Sequence, residues 1–290
     1  MLDLLTASWF GVVGACIGSF LNVVAYRMPR RMSVVWKPSH CPKCGHDIRA
    51  QDNIPVLGWL LLRGRCRDCK APISPRYAIV EAIMGIAFFV LAYAELLTGG
   101  ANLPRGPIAE GSAWESVGNP SWPLLTVFAF HALLLCLLMA AALIALDEEL
   151  APVSLIGASA VIVIAATLHW RLDHRLPYPC SGGKNAGEEA AIGFAVGGFL
   201  ALVAGQFVTD KEIGERERRR RNLALSLASV GGFLGLGPLA VVLLVAGIAT
   251  GIVIGFRGQR LDFFRILPAS VFAATLAYLC VWSRVAALWT

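Results

Sequence analysis

Apolar residues along this chain come in long runs, separated by segments rich in charge, glycine and proline. The runs fall at roughly 5–26, 78–97, 123–146, 152–168, 190–208, 223–238, 239–256 and 266–288. Crossing a bilayer takes about 20 residues of helix, and a helix satisfies its own backbone hydrogen bonds where no water is present to do so. The pattern therefore predicts an all-α polytopic membrane bundle of about eight spans. Gly235, Gly237 and Pro238 interrupt the stretch 223–256, which reads either as two spans or as one long broken helix.

Composition agrees with this reading. The 290 residues are 57% hydrophobic and 15% charged, with a mean hydropathy of +0.67, more apolar surface than one soluble core can bury. The charges add an orientation. Residues 27–76 carry Arg27, Arg30, Arg31, Lys37, Lys43, Arg49, Arg63, Arg65, Arg67, Lys70 and Arg76. Across eight alternating spans that segment shares a side with Lys211, the run Arg216 to Arg221, Arg257, Arg260 and Arg265, whereas the other side keeps Arg105, Arg171, Arg175, Lys184 and Arg284. The positive-inside rule makes the basic side cytosolic and puts both termini outside. The net charge of +6 thus reports topology, and no aromatic-interleaved basic surface points to nucleic acid. The first span lacks a basic leader and exceeds signal-peptide length, so it reads as a retained helix.

The most specific chemistry lies in CPKCGHDIRAQDNIPVLGWLLLRGRCRDCK. Cys41 and Cys44 make one C-x2-C knuckle and Cys66 and Cys69 another, with 21 residues between them. Four thiolates at this spacing suit a closed, structural zinc site. Unmetallated or disulfide-linked thiols are the alternative, which a reducing cytosolic face disfavours. His46 reads as a surface residue beside a completed ligand set. Cys16, Cys136 and Cys280 lie inside spans and read as small packing residues, and Cys180 stands alone in an outer loop.

ACIGSFLNVVAYRMPR, the two knuckles and ISPRYAIVEAIMG together resemble the N-terminal half of the type IV prepilin leader peptidase/N-methyltransferase family, with Ala78 where the family usually has proline. The likeness continues through LASVGGFLGLGPLAVVLLVAGIATGIV. It implies a multi-pass protein of the bacterial inner membrane that acts on pilin-like precursors, cutting the leader by an aspartic mechanism and methylating the new N-terminus with S-adenosylmethionine. It divides the chain into a first membrane helix (1–26), a cytosolic four-cysteine insert (27–76) and a peptidase-like helix bundle (77–290).

The resemblance also names two catalytic aspartates, one in D-x-D-x-x-x-x-P and one in G-x-G-D-x-K. Counting back from Pro152 puts Ala145 at the first position and Asp147 two residues on; anchoring on LASVGGFLG puts Leu223 at the second. No Gly-x-Gly-Asp occurs in the chain. A methyl or isobutyl group carries no proton, so proteolysis through the usual dyad is doubtful. Two readings remain. In one, Asp147 substitutes, with Asp210 or Glu212 as partner. In the other, the chain is a non-proteolytic relative that binds pilin-like signal helices or assists pilus or type II secretion assembly, and Asp147, Glu148 and Glu149 form a polar helix end. The run Arg218 to Arg221 reads as a solvated flank attracted to anionic lipid.

Gly14-x-x-x-Gly18, Gly193-x-x-x-Gly197, Gly231-x-x-x-Gly235 and Gly247-x-x-x-Gly251 with Gly255 read as helix-packing positions within apolar spans. No strand precedes them to make a nucleotide loop. The segments 98–122 and 169–190 read as irregular connectors, and His169, Asp173 and His174 are too few for a closed metal site.

Overall fold

The structure, a computed structural model, describes residues 2–36, 38–104, 121–172, 186–204, 213–257 and 263–286. The described residues form helices and turns with no strand. Eight long helices follow the apolar runs: α1 (Leu2–Arg27), α3 (Arg76–Ala92), α4 (Trp122–Leu146), α5 (Val153–Leu172), α6 (Ala186–Ala204), α7 (Ile213–Leu234), α8 (Leu236–Arg257) and α9 (Phe263–Ala286). A short helix, α2 (Leu57–Leu61), lies in the four-cysteine insert. Five of the described helices are long and apolar enough to cross a membrane, namely α1, α3 with its extension to Leu97, α4, α8 and α9; Val153–Ala166 and Ala190–Ala201 are shorter apolar helices.

Helix α4 is the axis of the bundle. It is apolar on nearly every side because it is packed on nearly every side, and Leu134, Leu135, Leu138, Ala141 and Ile144 are fully or almost fully buried. Helices α1, α7 and α9 pack against it. α1 and α8 lie at the periphery and expose large apolar residues such as Leu5, Trp9, Leu244 and Ile248, as helices facing lipid would.

Small residues set the two closest helix pairs. A Cβ on Gly14 would meet the Met84 carbonyl at 2.5 Å, and one on Gly18 would lie 3.0 Å from Glu81, so α1 and α3 touch backbone to backbone. Between α6 and α7 a Cβ on Gly193 would lie 2.2 Å from the Gly231 oxygen, and one on Gly197 2.3 Å from the Leu227 oxygen. The third glycine stripe is different. A Cβ on Gly247 or Gly251 meets nothing within 4 Å, so their expected packing role has no partner among the described residues. Cys16, likewise expected to pack, is exposed on α1.

The stretch 223–256 resolves into two helices that part at Gly235, whose φ of 88° only glycine adopts without strain. The first of them begins ten residues earlier than its apolar run, because the arginine run is itself helical.

Candidate functional site at the arginine-rich end of the bundle

Two matching turns build the four-cysteine cluster. The Gly45 N–H donates to the Cys41 carbonyl at 2.8 Å and the Cys41 N–H to the His46 carbonyl at 2.9 Å; in the second knuckle Lys70 donates to Cys66 at 3.1 Å and Cys66 to Ala71 at 2.8 Å. Each turn passes through a left-handed residue, Gly45 at φ 75° and Lys70 at φ 58°. His46 is exposed. The four Sγ atoms lie within 4.8 Å of one another, with Cys41 to Cys69 at 3.8 Å and Cys44 to Cys66 at 4.0 Å. All four are free thiols. Sulfurs on a tetrahedral ion with arms of about 2.3 Å stand about 3.8 Å apart, so the donor set fits a metal ion held by four thiolates. Local charge points the same way. The backbone N–H of Cys44, then that of Lys43, aimed at the Cys41 sulfur draw its thiol down to about 6. At Cys44 the His46 N–H pulls downward, yet desolvation and the three neighbouring thiols outweigh it and push the group up to about 12. Four thiolates this close need a cation among them.

The insert is braced and docked. Arg67 grips both carboxylate oxygens of Asp52, Nε to Oδ2 at 2.7 Å, and this guanidinium holds Asp52 below the usual carboxylate range. The Trp59 indole donates to the Ile73 carbonyl at 3.1 Å. On the membrane side the Val56 N–H donates to Glu81 Oε2 of α3 at 2.6 Å.

The three acids after α4 are each taken by an arginine from a different part of the chain. Arg76, first residue of α3, grips both oxygens of Asp147, one of them at 2.8 Å. Arg265 at the start of α9 bonds Glu148 Oε1 at 2.6 Å, and two of its nitrogens reach the Leu146 carbonyl at 3.1 and 2.8 Å. Arg30, just past α1, bonds Glu149 at 2.7 Å. Arg218 of α7 donates to the Glu148 carbonyl, so one member of the expected solvated flank is a structural ligand instead. Glu148 turns the chain at φ 57°. Beside it the buried Asn222 staples the turn to α7, its Oδ1 accepting from the Ala151 N–H at 2.9 Å and its Nδ2 donating to the Glu149 carbonyl at 2.9 Å.

Ala145 and Leu223, the two positions named by the resemblance, are 5% and 1% exposed and lie in the apolar core. Asp147 therefore meets a guanidinium rather than a second carboxylate among the described residues. Asp210 and Glu212 lie outside the described residues, as do Asp173, His174 and Cys180. Next to the turn opens a groove of about 660 Å³ between Met28–Trp36 and Leu150–Ser154, with Arg31 and Arg221 in its lining.

Sequence reasoning missed several of these residues. Arg30, Arg76 and Arg265 counted only toward topology, although three consecutive acids on an arginine-rich side are a signal for pairing. Asn222 gave none, being one polar residue at the edge of an apolar run. Glu95 and His131 were also overlooked. They meet at 2.6 Å inside the bundle, both fully buried, where α3 widens into a single π-helical turn at Tyr93–Leu97.

Residues 12–95 match the family model of the bacterial peptidase A24 N-terminal domain. The chain is 36% identical over 249 residues to a prepilin leader peptidase/N-methyltransferase of Myxococcus xanthus, covering 86% of this chain and 62% of that one. It is 30% identical over 291 residues to a protein of the same name from Burkholderia pseudomallei, covering 91% of this chain and 81% of the relative. It is also 44% identical over 97 residues to the type 4 prepilin-like proteins leader peptide-processing enzyme of Escherichia coli O78:H11, covering 27% of this chain and 36% of the relative. No solved structure matches.

Proposed function

The chain belongs to the prepilin leader peptidase/N-methyltransferase family, and from that premise we propose that it binds pilin-like precursors at its arginine-rich end without cutting them through an aspartyl dyad. The observation that carries this reading is the apolar burial of Ala145 and Leu223 together with the two-pronged grip of Arg76 on Asp147. Aspartic hydrolysis needs two carboxyls close enough to share a proton, one acting as base and one as acid. Arg76 occupies both oxygens of Asp147, which leaves neither of them turned to a second carboxyl among the described residues. The groove beside the same turn, lined by apolar side chains together with Arg31 and Arg221, supports a binding role.

In this reading the protein is a multi-pass protein of the bacterial inner membrane. The 27–76 insert faces the cytosol, and the 77–290 bundle receives the precursor. The metal of the insert is zinc, held by Cys41, Cys44, Cys66 and Cys69, and its role is to fold the two knuckles together. S-adenosylmethionine enters through the relatives' name, and methyl transfer is a separate activity to assay.

The test is incubation of the purified chain in lipid with a pilin-like precursor, following leader release on a gel, methyl incorporation from labelled S-adenosylmethionine, and co-purification of the two proteins. Binding without leader release is the expected result. Release that disappears in Asp147→Ala overturns the reading and makes Asp147 a catalytic residue. Metal analysis should find one zinc per chain, and none in Cys44→Ser/Cys66→Ser.

A further inference from the structure

The four-cysteine insert carries an apolar surface that its own fold does not cover. Around α2, Ile54 is 45% exposed, Leu57 and Leu60 are each 55% exposed and Leu61 is 74% exposed. Four such side chains within eight residues form more than the scattered surface leucine of an ordinary domain. The same segment bears Arg63 and Arg65, both exposed and neither ion-paired among the described residues.

The depth of this surface relative to the membrane follows from two hydrogen-bonded contacts. The Arg76–Asp147 pair joins the first residue of α3 to the residue that caps α4, so the ends of two membrane-crossing helices lie at one level. Val56 bonds to Glu81, five residues further into α3. At 1.5 Å of rise per residue the Glu81 backbone lies about 7.5 Å further in, and its side chain leans back toward the start of α3 to meet Val56. The polar layer of a bilayer is about 5–7 Å thick on each side. With the Arg76–Asp147 level taken as the outer face of that layer, the start of α2 lies inside it, on the side toward the acyl chains. At this level α3 itself exposes Ile79 at 53% and Ile83 at 40%, side chains suited to the same surroundings.

From these observations we propose that Ile54–Leu61 is a membrane-seated segment: its leucines enter the outer edge of the acyl layer, and Arg63 and Arg65 meet the lipid phosphates above them. Burying apolar side chains in lipid and placing cations at phosphates act together, each cation being worth about 1 kcal/mol near an anionic surface. The partner is the bilayer that already surrounds the bundle. The cysteine cluster is thereby held against the membrane surface and cannot swing freely on its two tethers.

The full chain is placed in vesicles of phosphatidylethanolamine and phosphatidylglycerol, with a photoreactive benzoylphenylalanine at Leu61 in one preparation and at the exposed Lys70 of the second knuckle, outside the proposed segment, in another. Illumination should attach phospholipid to the first and not the second, read as added mass on the insert peptide. A Leu61 probe that captures no lipid, or captures protein instead, overturns the proposal. A second measurement does not depend on the probe: Leu60→Glu/Leu61→Glu should speed tryptic cleavage after Arg63 in vesicles by about tenfold and leave the rate in detergent unchanged. Equal rates for parent and variant in vesicles also overturn it. Neither result depends on whether a precursor is bound or cut.

Discussion

Glu95 and His131 show what a single pair of side chains can demand of a membrane bundle. Each is fully buried, and Glu95 Oε2 and His131 Nε2 have no partner among the described residues, so the pair leans on its one shared contact. Removing one partner strands the other in a low-dielectric interior, at a cost of about 3–5 kcal/mol, whereas replacing both with apolar residues is close to neutral. His131→Leu should thus lower the thermal midpoint in detergent sharply, and Glu95→Leu/His131→Leu should recover most of the loss; a double variant no better than the single one contradicts this account. In the insert, Asp52 supplies a pH dependence. Its carboxyl lies below the usual range because Arg67 is bound to it, so its stabilising effect is complete above the unfolded value of about 3.9 and is lost as pH falls through the depressed folded value. Hydrogen exchange at residues 50–53 should be faster in Asp52→Asn than in the parent at pH 7, and the difference should close only below about pH 4. The four thiols were legible from spacing alone because C-x2-C fixes a local turn. The arginine partners of the acids were not, since a contact spanning 119 residues, as between Arg30 and Glu149, leaves no local pattern.

Among the helices, identical glycine spacing leads to opposite consequences. Gly231 lies against the backbone of Gly193, where a Cβ would fall 2.0 Å from an oxygen, while Gly247 faces open space. Gly231→Ala must push α6 and α7 apart and should cost about 1–3 kcal/mol. Gly247→Ala should be neutral, as thermal unfolding of the two variants side by side would reveal. The apolar runs marked each long helix to within a few residues at most ends, because length and hydropathy decide membrane helices almost without tertiary context. The start of α7 was the main failure. An arginine run reads as a helix boundary, yet here the helix continues through it, with Arg221 bonded to Glu217 one turn back.

At the scale of the whole molecule, the excess of basic residues on one side predicts topology as well as contacts. A membrane-impermeant thiol reagent added to intact cells should spare single cysteines placed near 45 and 215 and label Cys180; the reverse pattern inverts the orientation. The family and the helical architecture were legible in the sequence, whereas counting back from Pro152 yields an expectation about the dyad that the cleavage assay has to decide. What counting could not supply was the state of the neighbouring acids, which depends on helix ends far apart in the chain. Those same ends impose an order in time. When the turn at 146–149 emerges from the ribosome, Arg30 and Arg76 have already been made, but the guanidinium that takes both Glu148 and the Leu146 carbonyl arrives 117 residues after Glu148. Until the last helix is inserted, this end of α4 stays half-tied, so α9 acts as the latch of assembly, and a chain stalled or cut before Arg265 would present an unfinished fold to the cell's quality control.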